Sequence, residues 1–414
     1  MSASESRVSN VPGPLDLLFF RAGVEPSGMA ASSNVGAILH FRGASPDFDL
    51  LEISLREAVQ KLPCLTHYIS CDAGGAKWIR DCSDVGEHLS TICLDGSVDL
   101  DSIIFDLRFY KFAPDISPWK MWLISGYAKD RYVIFYLTRH DVQDAANIAS
   151  VLEAIFQQGS KSRILRGAQF SPPLHWSDYM EAMDTLDVCV KTHGFWTGGP
   201  IRLSGERNVT WVRMPTAEVK AISEKWSCSI NDIHLAALNF SFSSWVDAHW
   251  SHMSSNCLPI LVPVNIRLES ERGRPGNRFF LTRIDVSCQR RSPAECLFAI
   301  LKGTARMKSR KWRMAISDII GPTSGNLVDQ FYEESSGEDK LSVVGSSFYL
   351  KNDLGLGEAI VECVDPLICC PDGFPATVAF FVYGDWSSVC FNVDEALPGV
   401  EAISVGWRDF WERI

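Results

Sequence analysis

A histidine and an aspartate four residues apart, His140 and Asp144, are the side chains of this sequence best suited to do chemistry. A histidine side chain has an ordinary pKa of about 6.5, so its neutral ring can take a proton from a hydroxyl or an amine at neutral pH. The same spacing also occurs often by accident, and the pair is then a hydrogen-bonded histidine and a helix-capping aspartate. The spacing alone therefore leaves general-base catalysis and a structural pair both open.

The segments on either side of this pair predict the elements that position it. Residues 132–138, Tyr-Val-Ile-Phe-Tyr-Leu-Thr, are almost all β-branched, aromatic or aliphatic, which is typical of a buried strand. Beyond Asp144, apolar residues recur at helical spacing, at Ile148, Val151, Leu152 and Ile155. His140 and Asp144 are therefore predicted at a strand-to-helix corner.

Strand and helix patterns continue along the rest of the chain. Strands are predicted at 35–41, 119–127, 208–213 and 258–263, with a hairpin turn at 128–131 that pairs 119–127 with 132–138. Helices are predicted at 50–61, 176–190, 216–226 and 231–248, and Thr216 is expected to cap the third of these. The segments 321–326 and 333–339 are predicted to be surface loops.

Several further motifs occur in the order typical of one family. They are Gly13-Pro-Leu-Asp-Leu-Leu-Phe-Phe-Arg21, the strand and helix at 34–41 and 55–63, Ser229-Ile-Asn-Asp232, Pro263-Val-Asn-Ile-Arg267, Gly276-Asn-Arg278 and the closing run 376–411. With these motifs the chain resembles the wax ester synthase/diacylglycerol acyltransferase branch of the thioester-dependent HxxxD acyltransferases. That superfamily also contains chloramphenicol acetyltransferase and the condensation domains of peptide synthetases. The resemblance spans nearly the whole chain.

The resemblance implies a fold and a division into lobes. The expected class is α/β (α+β), with two chloramphenicol-acetyltransferase-like lobes, each a mixed sheet flanked by helices, and a channel between them. We expect an N-terminal lobe at 1–165 that carries the His-x-x-x-Asp motif, an inter-lobe connection at 166–202 and a C-terminal lobe at 203–414.

The resemblance also implies a reaction and a role for each site residue. His140 would be the general base that activates an alcohol or amine acceptor for attack on an acyl thioester, carried by coenzyme A or by a carrier protein. Asp144 would form a structural salt bridge with Arg267. The remaining expected substrate-channel residues are Arg139, Ala145, Asn265 and Asn277. Asn277 could donate to the oxyanion or could be a structural turn residue. No permanently bound cofactor and no metal are expected.

Two departures from the family motif leave the substrate open. The family writes His-His-x-x-x-Asp-Gly, whereas Arg139 replaces the first histidine here and Ala145 replaces the glycine. Ala145 adds a methyl group where the corner could need a positive φ or a close backbone approach. We favour ester or amide formation in specialised-metabolite tailoring. The alternatives are wax ester or triacylglycerol synthesis, and an inactive binding or scaffold protein if Arg139 filled the channel.

Composition excludes several other classes of protein. A net charge of −11 argues against nucleic acid as the main partner. The first residues lack the pattern of a signal peptide, and no apolar run reaches the roughly 18 to 20 residues that span a bilayer, so a cytoplasmic protein is expected. The thirteen cysteines contain no Cys-x-x-Cys, which favours free thiols over a metal site.

Two further sets of residues, a group of arginines and a pair of histidines, each allow two interpretations. Seven arginines could bind a cofactor phosphate or could lie on a solvated loop: Arg267, Arg272, Arg274, Arg278, Arg283, Arg290 and Arg291. His249 and His252 have a possible metal-ligand spacing without an obvious third ligand, so a solvent-facing pair is favoured.

Overall fold

The structure is a computed structural model that describes residues 11–24, 33–96, 98–158, 173–196, 202–250, 257–289, 292–320, 342–371 and 374–414. The chain forms two compact units, and each of them is built from separate stretches of sequence. The first unit comprises Met1–Gln158, Arg267–Arg278 and Leu350–Cys369. The second comprises Gly159–Ile266, Phe279–Tyr349 and Cys370–Ile414. The predicted boundaries at 1–165, 166–202 and 203–414 stay a prediction.

Helices and strands alternate along most of the chain. In order they are α1 (Pro14–Val24), β1 (Asn34–Arg42), α2 (Phe48–Lys61), β2 (His67–Asp72), β3 (Gly75–Arg80), β4 (Leu89–Cys93), α3 (Leu100–Leu107), β5 (Trp119–Ser125), β6 (Arg131–Arg139), α4 (Ala145–Phe156), α5 (Trp176–Val190), β7 (Arg207–Pro215), α6 (Thr216–Trp226), α7 (Ile230–His249), β8 (Cys257–Asn265), β9 (Phe279–Ser287), α8 (Pro293–Thr304), α9 (Arg310–Ile320), β10 (Val343–Tyr349), β11 (Gly355–Leu356), β12 (Ala359–Leu367), β13 (Ala376–Val382), β14 (Trp386–Asp394) and α10 (Glu401–Arg413).

The sheet of the first unit is mixed and has the order β4-β5-β6-β1-β12, with β11 added beside β12. β4 and β5 are parallel, while β5, β6, β1 and β12 pair in antiparallel fashion. β6 lies between β1 and β5, and its residues 132–138 are all buried, which explains the continuous apolar run in the sequence. β2 and β3 form a separate hairpin.

The second unit has its own mixed sheet, in the order β7-β14-β13-β10-β8-β9. β10 runs parallel to both β13 and β8, and the remaining pairs are antiparallel. α7 is buried along most of its length, and the core around it contains the fully buried aromatic side chains of Trp245, Trp312, Phe380 and Trp407. Mixed sheets flanked by helices confirm the predicted fold class.

Asp232, from the Ser-Ile-Asn-Asp motif, has a structural role at the start of α7 in the second unit. Ser229 and Asp232 form a capping box, with the hydroxyl of Ser229 donating to the Asp232 carboxylate at 2.5 Å. The buried carboxylate also accepts from the Thr304 hydroxyl at 2.6 Å and from the Lys308 ammonium at 2.7 Å. Asp232 therefore ties the first turn of α7 to the last residue of α8 and to the segment that follows it.

The predicted elements agree with the structure, with one correction at Thr216. The strands, the helices and the 119–138 hairpin are confirmed to within a few residues at their ends. Thr216 does not cap α6, because the N-cap is Pro215 and the Thr216 hydroxyl contacts the Ser387 hydroxyl at 2.8 Å and donates to the Tyr383 carbonyl. The predicted loops at 321–326 and 333–339 lie outside the described residues.

Within the part of the chain that the structure describes, none of the helices is both long enough and apolar enough to cross a membrane.

Candidate active site

His140 lies in the turn that follows β6, at the predicted strand-to-helix corner. Its backbone N–H donates to the Ser33 carbonyl at 2.9 Å, which anchors the turn to the residue just before β1. Its ring stacks on the Phe19 ring of α1, with centroids 4.1 Å apart and planes inclined by 7°. Its Nδ1 lies 2.9 Å from the side-chain oxygen of Asn277. The ring is therefore held by Phe19 on one face and by Asn277 at Nδ1.

The side-chain amide of Asn277 determines which nitrogen of His140 carries the proton. The Asn277 amide nitrogen lies 2.7 Å from the His140 carbonyl and 3.0 Å from Oδ1 of Asp16. A carbonyl oxygen and an ionised carboxylate only accept hydrogen bonds, so the NH2 group of Asn277 must face them. Oδ1 of Asn277 then faces His140 and accepts the Nδ1–H. Nε2 is consequently the basic nitrogen of the ring.

The surroundings of His140 favour its neutral form. Burial lowers the pKa of His140 below its ordinary value of 6.5, because the charged imidazolium loses its contact with water. A hydrogen bond to the backbone of His140 itself, the negative charges of Asp144 and Asp141 and the bond to Asn277 act in the opposite direction but do not cancel the effect of burial. The ring is therefore a neutral proton acceptor at neutral pH, as a general base requires.

Asp144 is held in a structural role at the start of α4. Its Oδ1 accepts from the Asn147 backbone N–H at 2.9 Å, which caps the helix. Its Oδ2 accepts from the Arg267 guanidinium at 2.9 Å and from the Arg278 backbone N–H at 3.0 Å. Burial alone would raise the pKa of Asp144, but Arg267 and these hydrogen bonds outweigh it and hold the pKa below its usual range. The predicted Asp144–Arg267 salt bridge is confirmed.

Arg267 also holds together the segment that follows β8. Its guanidinium donates to the backbone carbonyls of Glu271 and Arg274 at 3.1 Å and to that of Gly276 at 2.5 Å. Because one side chain binds three carbonyls in its own loop and a carboxylate of α4, Arg267 fastens residues 267–278 to the corner. The Gly276 N–H completes this attachment by donating to the Val142 carbonyl at 2.7 Å.

Asp16 of α1 is a site residue that the sequence analysis did not single out. Its carboxylate is completely buried and accepts from the Asn277 backbone N–H at 2.6 Å and from the Gly13 N–H at 2.7 Å. Burial raises the pKa of Asp16 from 3.8 to about 6, and the hydrogen bonds from Asn277 and Gly13 and the charge of Arg278 only partly compensate. Its sequence signal was an aspartate inside an apolar segment, Pro-Leu-Asp-Leu-Leu-Phe-Phe.

Gly276 allows the Asp16 carboxylate to approach the loop. Its φ is +90°, and a Cβ at this position would lie 2.6 Å from Oδ2 of Asp16. A side chain here would therefore be strained in its backbone and would displace the carboxylate. The Gly-Asn motif is thus explained by two needs at once: room for Asp16, and an amide next to His140.

The other predicted substrate-channel residues have different surroundings. Arg139 pairs with Asp141, its Nε donating to Oδ1 at 2.9 Å, and its guanidinium lies 5.5 Å from the ring centre of Phe20. Ala145 is the first residue of α4 and its φ is not positive, so the suspected need for a glycine conformation there was wrong. Asn265 ends β8 opposite Phe279 and belongs to the second unit.

Most of the described arginines of the predicted patch pair with carboxylates, whereas the Nε of Arg274 is buried without a hydrogen-bond partner among the described residues. Arg272 pairs with Glu153 at 2.5 Å, Arg278 with Glu271 at 3.3 Å and Arg283 with Asp285 at 3.0 Å. These pairs give no support for a phosphate site, and Arg283 lies buried in β9 and not on a solvated loop. Arg290 and Arg291 lie outside the described residues.

A metal site has no support in the described part of the chain. No group of three or more potential ligands among histidine, cysteine, aspartate and glutamate is found among the described residues. His249 is exposed at the end of α7, and His252 lies outside those residues.

Comparison with known proteins gives relatives of one kind. "Probable diacyglycerol O-acyltransferase tgs1" of Mycobacterium tuberculosis (strain H37Rv) is 23% identical over 329 residues, which cover 71% of this chain and 70% of that protein. No family model matches the chain.

Solved structures share the fold at low sequence identity. The wax ester synthase/diacylglycerol acyltransferase from Marinobacter aquaeolei VT8 superposes with a TM-score of 0.60 at 14% identity, and the match covers 98% of each chain. A mutant starter condensation domain of rhizomide synthetase, in complex with C8-CoA and Leu-SNAC, gives a TM-score of 0.66 at 10% identity and covers 98% of this chain and 93% of that one. At such identities these likenesses concern the fold alone.

Proposed function

We propose that this chain, which belongs to the wax ester synthase/diacylglycerol acyltransferase-like part of the HxxxD acyltransferase superfamily, transfers an acyl group from acyl-CoA to a hydroxyl acceptor. The observation that carries the proposal is the neutral His140 ring, whose proton is held on Nδ1 by Asn277. An imidazole arranged in this way presents Nε2 as a base of suitable pKa for a hydroxyl.

The proposed reaction needs no covalent enzyme intermediate. Nε2 of His140 accepts the proton of the acceptor hydroxyl as its oxygen attacks the thioester carbonyl carbon, which forms a tetrahedral oxyanion. The carbon–sulfur bond then breaks, and the imidazolium returns its proton to the departing thiolate of coenzyme A. The products are an ester and free coenzyme A, and His140 is neutral again.

Asp144 supports this reaction only through the fold. Both of its oxygens are occupied by the α4 cap, Arg267 and the Arg278 N–H, and its pKa lies below the usual range. A carboxylate in such a position is a poor proton acceptor. In this proposal the corner supplies one base, His140, and the Asp144–Arg267 ion pair stabilises the fold beside it.

We propose an alcohol of neutral-lipid synthesis, a long-chain alcohol or a diacylglycerol, as the acceptor. The mycobacterial relative carries a diacylglycerol acyltransferase name, and the Marinobacter structure is that of a wax ester synthase/diacylglycerol acyltransferase. These names support the neutral-lipid alternative better than the tailoring reaction that the sequence analysis favoured. A carrier protein as donor has no comparable support.

Arg139, which replaces the first histidine of the family motif, does not argue against the proposed activity. The inactive alternative depended on Arg139 filling the substrate channel. Instead the Arg139 guanidinium is bound by Asp141, whose side chain is fully buried, two residues further along the same turn. This pairing supports an active enzyme, since Arg139 is held by its own neighbour.

The experiment that tests the proposal is an acyl-transfer assay read by mass spectrometry. Acyl-CoA donors from acetyl to palmitoyl are combined with hexadecanol, a dioleoylglycerol or a pool of amines. We expect ester formation with long acyl chains, and a loss of about 10²- to 10⁴-fold in His140→Ala, since that is the usual contribution of a general base.

A matched histidine provides the control. His67 is half-buried in the same unit and its Nδ1 lies 2.8 Å from the Pro63 carbonyl, so His67→Ala should retain most activity. Amide products in place of esters would restore the tailoring alternative. Unchanged turnover in His140→Ala would remove His140 from the chemistry.

A further inference from the structure

Asp16 and His140 are joined through one side chain, that of Asn277. Oδ1 of Asp16 accepts both the backbone N–H and the side-chain NH2 of Asn277, at 2.6 and 3.0 Å, and Oδ1 of Asn277 lies 2.9 Å from Nδ1 of His140. We propose that Asp16 is a positioning residue for the base: its carboxylate orients the Asn277 amide, which holds the His140 proton on Nδ1. The inference rests on the proposed role of His140.

The position of Asp16 on α1 gives this helix a second contact with the same ring. Phe19 lies three residues after Asp16, a spacing that places both side chains on one face of the helix. Phe19 stacks on the flat face of His140, while Asp16 acts on its edge through Asn277. The Pro-Leu-Asp-Leu-Leu-Phe-Phe segment is therefore a support for the base, with one apolar and one charged contact.

The burial of Asp16 distinguishes positioning from ordinary stabilisation. The side chain is completely buried, and its direct hydrogen-bond donors are the amide N–H of Gly13 and two N–H groups of Asn277. The charge of Arg278 favours the ionised form, but burial still raises the pKa of Asp16 to about 6. A carboxylate kept under these conditions costs stability, which is expected where a charge serves function.

Five other charged groups lie around His140 and Asp16 and stay unchanged in the variants proposed below. Asp141 and Asp144 on the same corner both raise the pKa of the ring, and Asp144 is paired with Arg267. Arg139 pairs with Asp141. Arg278 acts on both Asp16 and Asp144, on Asp144 through its backbone N–H. Variants at Asp16 and Asn277 leave all five groups in place, so a change in the titration of His140 reports the carboxylate that is removed from residue 16 or placed at residue 277.

The first measurement needs no substitution and no substrate. Two-bond 1H–15N spectra of the full chain labelled with 15N-histidine distinguish the two neutral tautomers, and the His140 signals are assigned by their loss in His140→Ala. We expect the Nδ1–H tautomer above about pH 7, where both His140 and Asp16 have lost their acidic protons. The Nε2–H tautomer would overturn the proposal even if the protein is an active acyltransferase.

Two variants then shift the pH profile in opposite directions. In Asp16→Asn the negative charge behind Asn277 is lost, so the pKa of His140 falls and the acid limb of kcat/KM moves to lower pH. The double variant Asp16→Asn/Asn277→Asp places the carboxylate directly against Nδ1, so the acid limb moves to higher pH. In Asp16→Asn we also expect kcat to fall about 10- to 100-fold, with KM for acyl-CoA within about twofold.

Asp81 provides a matched control for the loss of a buried carboxylate. It lies in the same unit, its side chain is largely buried, and it accepts hydrogen bonds from Ser83 and Ser117 rather than from the site. Asp81→Asn should change stability without changing the acid limb or the His140 tautomer. If Asp16→Asn behaves in the same way, Asp16 is only structural and the proposal is overturned.

The outcomes separate this proposal from the proposed function. Absence of turnover with every acyl-CoA would contradict acyl transfer, while the tautomer of His140 would still test Asp16. If Asp16→Asn does not fold, the double variant and the wild-type spectra still decide, because a direct Asp–His pair must raise the pH at which the ring titrates. No upward shift in a folded double variant would also overturn the proposal.

Discussion

Two buried carboxylates lie against the same short segment, 276–278, and their surroundings differ in one respect. Asp144 forms a direct ion pair with Arg267, and its pKa is lowered. Among the described residues, Asp16 accepts hydrogen bonds from the neutral amide groups of Gly13 and Asn277, and burial raises its pKa to about 6. At Asp144 the adjacent Arg267 charge outweighs burial, whereas at Asp16 the amide hydrogen bonds and the charge of Arg278 do not.

The two carboxylates consequently differ in what they contribute: one stabilises the fold and the other is linked to His140. Asp144 is paired, caps α4 and fastens the loop, so its contribution is to the fold. Asp16 is retained at a cost in stability, and its contacts lead through Asn277 to the ring of His140. Substitutions at the two sites should therefore differ in kind: one set should change unfolding, and the other should change the pH dependence of activity.

Removing the charge that pairs with Asp144 should give the largest effect. In Arg267→Ala the carboxylate remains buried without its cation, which costs about 3 to 5 kcal/mol of unfolding free energy. Both side chains are almost fully buried, with exposures of 5% and 7%, so solvent screens the pair little. Urea unfolding followed by circular dichroism measures the change.

A surface pair in the same loop gives the control for this prediction. Arg272 binds Glu153 but is 39% exposed, so Arg272→Ala should cost about 0 to 1 kcal/mol. Equal losses in the two variants would mean that the Asp144–Arg267 pair is no more than a surface ion pair in energy.

The pH dependence of stability should have opposite signs at the two carboxylates. The pKa of Asp16 is raised from 3.8 to about 6, so the folded state loses stability as the pH rises from about 4 to 7 and Asp16 ionises. Relative to Asp16→Asn, wild type should lose about 2 to 3 kcal/mol over this range, at about 1.4 kcal/mol per pKa unit. Unfolding free energies of both proteins at several pH values give the difference.

Asp144→Asn should show the reverse trend. The pKa of Asp144 is lowered, so its contribution is present above its ordinary value of 3.8 and is lost as the pH falls. Wild type should therefore gain on this variant as the pH rises. Parallel pH trends in the two variants would show that the opposite signs given to the two carboxylates are incorrect.

The sequence predicted one half of this comparison and not the other. The strand-to-helix corner followed from apolar periodicity, and the Asp144–Arg267 pair followed from the family resemblance. The role of Asp16 did not, because its partner Asn277 is 261 residues away and the apolar segment around Asp16 does not indicate which residue it contacts. That contact depends on how the 267–278 segment is fastened to the corner by Arg267 and Gly276, which local patterns do not contain.

Local sequence patterns also gave incorrect predictions at two other residues. Thr216 has the sequence of a helix cap, but its hydroxyl lies near that of Ser387, because a neighbouring strand offers a partner. Ala145 suggested a strained corner, whereas the chain simply enters a helix there. The partner of Thr216 comes from a distant part of the sequence, whereas the helix that begins at Ala145 is capped by the adjacent Asp144.

Gly276→Ala should disturb the Asp16 side of the comparison through the backbone. A Cβ would lie 2.6 Å from the Asp16 carboxylate, and φ is +90°. Gly96→Ala is the matched control, because Gly96 has a φ of +85° but a Cβ added there would meet no atom within 4 Å. Both variants carry the strain of a positive φ, about 1 to 2 kcal/mol, and Gly276→Ala should lose about 1 kcal/mol more together with most of its activity. Thermal unfolding and the ester assay measure the two effects.

Ala145→Gly should have the smallest effect, because it restores the residue that the family motif carries without altering any contact of either carboxylate. Ala145 is the first residue of α4, where glycine costs about 0.5 kcal/mol relative to alanine through its greater backbone freedom when unfolded. Since φ at this position is not positive, the glycine gains nothing, and kcat should stay within about twofold of wild type. A rise in kcat of an order of magnitude would show instead that the corner must move during turnover, and that alanine at this position restricts it.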